Sequence, residues 1–397
     1  MVKNGSLFCF SKKQKSKKKS RKYIFSSHKI LFIVYLLILF KYKEKSIKQI
    51  EMLNIRQFFN TTIKSNSILI FEINPYHYEC TPGYAKYFLD LGFNVDIIMT
   101  KEGKDIVIFF GANENLRFFI LDDFKYNKKY IKIFRKKFYK YLAVLVQTMI
   151  PDLKYFYKES NLLNGKNSIF VYHYYPYMNH INIQNKIRSW TLLNFTNNAL
   201  IVNPHYFGNI KLRNKNKKTR FFIVSTGKRN YEQLIYATDR LKSENFQFQI
   251  IVTGRYGTFN YSNIPNNLKD IFIFNLSLSY FDLFKTVETV DFIIIPFKSD
   301  NPEDNIYKNR KATGSSQLAY GFLKPCLINS YFAETYGMNN DNSIIFKDSL
   351  YFAMRDAIKI SNKEYKKKQY NMKKLADKIY ENSKINVKIT IDNILQK

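Results

Sequence analysis

The chain has 397 residues, 46% of them apolar, which is more than one hydrophobic core usually organises and predicts two domains. Its three cysteines, Cys9, Cys80 and Cys326, are scattered with no CxxC pair, which excludes a disulfide framework and a cysteine-based zinc site. The net charge of +33 would suit a polyanion, but lysine far outnumbers arginine and the chain abounds in residues with AT-rich codons, so genome composition is read as its main source and no specific nucleic acid is expected.

The first fifty residues carry 14 Lys and Arg against the single acid Glu44. The run Lys12 to Lys22 is followed by the apolar Ile30 to Phe40, and those eleven residues would span only about 16 Å as a helix against a hydrocarbon core of about 30 Å. Residues 12–48 therefore read as a basic-plus-apolar attachment to an anionic membrane surface, placing the protein in the cytoplasm at the inner face of the membrane. Met52 stands just before the first domain-like pattern, so a start there is the alternative for residues 1–51.

From residue 67 the rhythm is that of an α/β domain. Ser67 to Ile73 reads as a strand, Pro82 to Gly92 as a helix closed by glycine, and Asn94–Met99, Asp105–Phe110 and Leu116–Leu121 as strands. A long basic amphipathic helix is predicted from about Lys125 to Thr148, followed by strands at Ser168–Tyr175 and Asn198–Asn203. The polar run Asn214 to Lys218 reads as a linker. A second α/β domain follows, with strands at Arg220–Gly227, Phe246–Gly254, Ile271–Asn275 and Asp291–Phe297, and a helix at Asn230–Leu241. From about Leu350 the pattern is helical to the end.

The segment Lys311 to Asn329 (KATGSSQLAYGFLKPCLIN) predicts a short helix opened by Thr313, Gly314, Ser315 and Ser316, then a strand after Lys-Pro. A helix beginning with small hydroxyl residues offers free N–H groups and a positive dipole end, the arrangement that suits a phosphate. Gly227, Lys228 and Arg229, with Gly254, close two of the preceding strands with small or basic groups. Two such sheets joined by a linker put a ligand in the cleft at the carboxyl ends of the strands.

Taken together, the turn and helix Ser225–Leu241, the strand Asp291–Phe297, the segment Ala312–Asn329 and, earlier, Gly83–Thr100 resemble the group-1 glycosyltransferases of GT-B fold. That resemblance implies two Rossmann-like domains facing across a cleft, with a helical C-terminal tail. Residues 52–212 would form the acceptor-side domain, 213–362 the nucleotide-sugar donor domain and 363–397 the C-terminal helices. It further implies sugar transfer from a nucleotide sugar to a glycan or lipid-linked acceptor of surface polysaccharide, with no cofactor besides that substrate.

One departure stands out. Many members carry two glutamates seven residues apart across the donor helix, whereas no glutamate lies between Glu303 and Glu334. Glu303 and Asp304, read as part of a loop, are the candidates to meet sugar or ribose hydroxyls. No D-x-D pair occurs, so no metal is expected at the diphosphate, and cationic side chains with a helix N-terminus would hold its charge. For the base that deprotonates an acceptor hydroxyl, His77 with Glu79 is preferred and His173 is the competitor. Gly83 is read as giving room to an acceptor or donor phosphate, or as serving the helix entry, and His205 as hydrogen-bonding near the hinge. A catalytically degenerate GT-B binding subunit, a polyanion-binding protein and a nucleotide-sugar epimerase remain as alternatives.

Overall fold

The computed structural model describes residues 52–74, 77–110, 113–121, 128–149, 153–174, 176, 186–224, 231–254, 259, 262 and 264–396. The extension 1–51, with its proposed membrane attachment at 12–48, lies outside the described residues, as do Gly227, Lys228 and Arg229.

Two all-parallel sheets form the molecule. In the first, strands β1 (Met52–Asn54), β2 (Ser67–Glu72), β3 (Asn94–Thr100), β4 (Leu116–Leu121), β5 (Ala143–Val146), β6 (Ser168–Tyr172), β7 (Ser189–Thr191) and β8 (Leu200–Ile201) lie in the order β1-β4-β3-β2-β5-β6-β7-β8. In the second, β9 (Thr219–Val224), β10 (Phe248–Gly254), β11 (Phe272–Leu276), β12 (Phe292–Ile295), β13 (Cys326–Asn329) and β14 (Ile344–Phe346) lie in the order β11-β10-β9-β12-β13-β14. β2, β5, β6, β12 and β13 are buried along their whole length, as strands covered by helices on both faces must be. The order reverses between β2 and β5 in the first sheet, where β1 also lies outside β4, and between β9 and β12 in the second. The crevice beyond the carboxyl ends of the strands at such a reversal is where open α/β sheets take ligands.

Three expectations are corrected. Asp105–Phe110 is not a strand but part of a 3-10 helix, Lys101–Phe109. β3 pairs directly with β4 over six residues, leaving no slot between them, and Ile106 and Val107 are instead buried over the sheet. The long helix ends early: α3 (Lys128–Phe138) stops, and Ala143–Val146 becomes β5, buried between β2 and β6. Residues 125–127 lie outside the described part. Glu303 and Asp304 lie in the first turn of a helix, α7 (Pro302–Asn309), whose Asn301 side chain accepts from Glu303 N and whose Pro302 opens the first turn.

The remaining helices are α1 (Ile55–Asn60), α2 (Thr81–Asp90), α4 (Lys154–Glu159), α5 (Glu232–Ser243), α6 (Tyr280–Thr289), α8 (Gly314–Phe322), α9 (Ser330–Ala333), α10 (Leu350–Lys359) and α11 (Asn362–Leu395). At 34 residues, about 51 Å, α11 is long enough to serve both sheets. Its Tyr365 donates to Asp291 O (3.0 Å) before β12, and its Thr390 accepts from the indole of buried Trp190 (2.9 Å) in β7.

The connection between the sheets is pinned along its length. Asn203 N donates to Ser383 Oγ (3.0 Å) in α11, and the two ring nitrogens of buried His205 lie 3.0 Å from Asn203 Oδ1 and 3.0 Å from Ala376 O. Burial pushes that imidazole down to about 4. The linker read at 214–218 has no helix and no strand before β9 at Thr219. Even so, Asn216 is held by the fully buried carboxylate of Asp291, which also takes Arg213 (3.1 Å) and Arg220 N (2.8 Å).

Two glycines let helices close on this crossing. A Cβ on Gly83 would lie 2.5 Å from Pro204 Cα, and one on Gly321 would lie 2.5 Å from His205 O and 2.1 Å from the Phe207 ring. Buried side chains from both sheets form one continuous core there, with the rings of Phe207, Phe284 and Phe322 packed together.

Candidate active site

The carboxyl ends of β2, β5 and β6 bring the predicted histidines together. β2 ends in Glu72, which is buried and accepts from Asn74 N (2.6 Å) and from Thr148 Oγ1 just beyond β5. Burial pushes its carboxyl up to about 7, against those two hydrogen bonds. The chain then turns, and His77 places Nδ1 3.5 Å from Glu79 Oε1. The His77 ring stacks on that of His173, which follows β6, with centroids 4.0 Å apart and planes 18° apart.

Gln147 ties this pair to the sheet. Its Nε2 donates to His77 O (2.7 Å), and its own carbonyl lies 3.1 Å from His173 Nε2. Burial, and then the neighbouring His77, push the His173 imidazole well below its usual range. A neutral imidazole bonded to a carbonyl through Nε2 carries its proton there, which leaves Nδ1 as an acceptor. His77 and His173 are therefore partners in one stack: His77 is partly exposed beside a carboxylate, and His173 is buried and neutral beneath it.

The second sheet meets this cluster at two points. Tyr280, first residue of α6, directs its hydroxyl at Glu79 Oε2 (3.4 Å). Tyr174, next to His173, pairs antiparallel with Lys311, two residues before the cap of α8. The mouth of α8 is thereby brought beside the histidines.

At that mouth Thr313 is the N-cap and accepts from Ser315 N (3.3 Å), while the Ser316 hydroxyl donates to Thr313 O (2.8 Å). Thr313, Ser315 and Ser316 are all buried, so their hydroxyls shape the turn. Gly314 is exposed and open space surrounds the position of its missing Cβ. Ser315 N and Ser316 N are taken by Thr313 (3.3 and 3.2 Å), so what this mouth offers an anion is the Gly314 N–H at the positive end of the helix.

Two sequence-predicted residues have other duties. The Asp304 carboxylate is buried and accepts from Lys298 N (3.0 Å) and Asn301 Nδ2 (3.1 Å), so it fastens the loop after β12 instead of facing a sugar. Gly83 is buried inside α2 against Pro204 and opens no room for phosphate. Glu303 is exposed, one residue from that loop, and Gly254 ends β10 with its carbonyl taken by Ser277 N (3.1 Å).

Residues the sequence reading missed are Glu72, Gln147, Thr148 and Tyr280. Glu72 is visible in sequence as a carboxylate closing an apolar strand, whereas Gln147 and Thr148 follow β5, whose residues share the helical pattern of the preceding basic segment. Among the described residues no group of three His, Cys, Asp or Glu side chains could hold a metal ion, and no helix is long and apolar enough to cross a membrane. A cavity of about 200 Å³ lies elsewhere, against the crossing and α11, lined among others by His205, Phe207, Tyr320, Lys373 and Tyr380.

No known sequence family matches the chain, and no curated protein matches it. Solved structures do. A glycosyltransferase from Rickettsia africae ESF-5 superposes with a TM-score of 0.53 at 14% identity, covering 84% of this chain and 100% of that one. Anabaena Alr3699/HepE, solved in complex with UDP-glucose, superposes with a TM-score of 0.50 at 11% identity, covering 81% of this chain and 98% of that one. The chain thus has the GT-B fold, with two Rossmann-like sheets facing across a cleft and a helical C-terminal region.

Proposed function

We propose that the protein is a glycosyltransferase of the group-1 kind, moving a sugar from a nucleoside-diphosphate donor to a hydroxyl of a glycan or lipid-linked acceptor. The observation that carries this reading is the meeting of the His77–Glu79–His173 cluster with the mouth of α8 through the Tyr174–Lys311 pairing. Acid–base groups stand on one side of the seam, and the exposed Gly314 N–H with Lys311 stands on the other.

In this reading His77 takes the proton of the acceptor hydroxyl as its oxygen bonds to the anomeric carbon, and Glu79 orients and stabilises the imidazolium. The bond from the anomeric carbon to the phosphate oxygen breaks with its electron pair, and the diphosphate leaves toward the first turn of α8 and Lys311. Lys228, Arg229 and Gly227, after β9 at the second reversal, and Gly254 and Glu303 would complete the donor side, with no metal required. The relative from Anabaena was solved with UDP-glucose, which supports a nucleotide sugar as the class of donor. Surface polysaccharide as the product, and attachment to an anionic inner leaflet through residues 12–48, belong to the same proposal.

The test is the melting of the full chain with UDP-, GDP-, ADP-, CMP- and dTDP-sugars. A donor at a hundredfold excess over its Kd should stabilise by about 2.7 kcal/mol. A flat response to all five would contradict the reading and favour a binding subunit without donor chemistry.

A further inference from the structure

Helices α5 and α10 cover the face of the second sheet that turns away from the crossing. Their buried side chains share a core with Phe221, Ile223 and Ile294, whereas Phe222, Ile293 and Ile295 on the opposite face join the core that reaches the first sheet. On the outer side of this helix pair two aromatic rings stand in solvent, Tyr236 (59% exposed) and Phe352 (48% exposed). Two arginines accompany them. Arg240 lies over Tyr351, 4.1 Å from the ring centroid, and 6.0 Å from that of Phe352, while Arg355 lies 5.0 Å from the centroid of Phe352. Glu244 steadies the group, accepting from the Tyr351 hydroxyl (2.6 Å) and from Arg240 Nε (3.4 Å). A guanidinium laid on a ring is already ordered, so docking against it costs little further side-chain entropy. Exposed rings with arginines beside them are also the residue types that anchor protein interfaces.

Charge decides what can dock there. The chain carries 64 Lys and Arg against 31 Asp and Glu, so two copies repel one another over most of their surface. Other exposed aromatics belong to that cationic surface: Tyr139 and Tyr370 have four and five cations within four residues in sequence, and no acid. Residues 232–244 and 347–359, which contain α5 and α10, instead hold five acids and five bases, and so carry no net charge. Asp356 is exposed beside Arg355 on the same helix. Acids and bases interleaved around apolar rings complement a copy of themselves turned by a two-fold axis, which a patch of one sign cannot do.

We infer that this face is where two copies of the chain pair, with Tyr236 and Phe352 packed across a two-fold axis and the guanidinium groups of Arg240 and Arg355 meeting Asp356 of the second copy. With 12 and 10 residues, α5 and α10 are about 18 and 15 Å long, and packed helices lie about 10 Å apart. The paired face is therefore at the small end of specific interfaces, and the dimer dissociates in the micromolar range. Such a dimer leaves the seam between the sheets uncovered. Salt distinguishes this occupant from others: it screens the long-range repulsion between two chains of charge +33 while the contact between rings persists, so pairing tightens. An acidic protein or glycan would be attracted by the net charge and released by salt.

The experiment is sedimentation equilibrium of the full chain at micromolar concentration in about 0.05, 0.15 and 0.5 M NaCl, spanning weak to strong screening. The proteins are wild type, Phe352→Ser, Asp356→Lys and, as a control on the cationic surface, Tyr370→Ser. Expected for wild type is a monomer–dimer equilibrium whose dissociation constant falls as salt rises. Phe352→Ser and Asp356→Lys should each raise that constant about tenfold or more, and Tyr370→Ser should leave it within about twofold. Asp356→Lys changes an exposed side chain, so it should lose pairing at an unchanged melting temperature. A wild type that stays monomeric at all three salts, pairing that weakens as salt rises, or equal constants for wild type, Phe352→Ser and Asp356→Lys would each overturn the inference.

Discussion

Helices α2 and α8 hold comparable positions in the two halves, and their mouths differ. α2 lies between β2 and β3 and α8 between β12 and β13, and each uses a glycine, Gly83 or Gly321, to bring its backbone against residues 204–207. The mouth of α2 is surrounded by titratable groups: Glu72, His77, Glu79 and the stacked His173. That of α8 has an exposed Gly314 and buried hydroxyls, with the cationic Lys311 two residues before its cap and no acid from Gly314 to Phe322. The packing is shared and the chemistry is divided, so proton transfer is assigned to one sheet and anion binding to the other.

Removing the base is expected to have the largest effect. His77→Ala should lower transfer by about 10²- to 10⁴-fold while leaving nucleoside diphosphate affinity intact. A variant that keeps the full rate would end the assignment of acid–base chemistry to the α2 side.

The pH dependence of stability comes next. The Glu72 carboxyl is raised when folded to about 7 from 4.5, so its contribution is complete below about pH 4.5 and is lost as pH rises through 7. His205 is depressed to about 4 from 6.5, so its contribution is complete above 6.5 and is lost as pH falls toward 4. Each is worth on the order of 3 kcal/mol, and between about pH 4.5 and 6.5 they oppose one another. Glu72→Gln should therefore leave a profile that climbs with pH through that window and should be more stable than wild type at pH 8. Urea melts that give parallel profiles for variant and wild type would show that Glu72 is not buried as described.

The glycines sharpen the contrast between shared packing and divided chemistry. Gly321→Ala and Gly83→Ala should each destabilise by about 1–3 kcal/mol, because the new methyl group meets backbone that cannot step aside. Gly314→Ala has free space and should cost under about 0.5 kcal/mol, yet weaken nucleoside diphosphate binding at the mouth. If Gly314→Ala binds as wild type, the close approach assigned to that residue is wrong. Smaller still than the buried glycines, Lys373→Ala, which breaks an exposed i,i+4 pair with Asp377, should change stability by less than about 0.5 kcal/mol and leave binding unchanged. A larger loss would mean that the lysine also supports the cavity behind the crossing.

The sequence made the α/β rhythm of both halves legible because buried parallel strands are short apolar runs bounded by turns, as Ser67–Glu72 and Phe292–Ile295 are. It misled where an apolar run packs without pairing, as at Ile106 and Val107, and where a basic helix passes into a strand through an aromatic turn, as between Phe138 and Ala143. The start of α7 is legible in Asn301-Pro302-Glu303, a cap followed by proline, although the polar composition of that stretch also reads as loop. His77, Glu79 and His173 were legible as residue types near strand ends. Their stacking was not, because it depends on β2 and β6 flanking the same central strand, an order that local pattern does not carry. The Lys-Pro of the donor segment proved structural: Lys324 is buried and donates to Glu288 O (2.9 Å) and Val290 O (2.8 Å), closing the end of α6.

Hydrogen exchange of the full chain saturated with the tightest nucleoside diphosphate tests the division most directly. The account predicts slowed exchange at the amides of residues 314–317, with those of α2 unchanged. Protection confined to residues 205–210 and 373–380 around the cavity behind the crossing, with α8 exchanging as in the free protein, would contradict it.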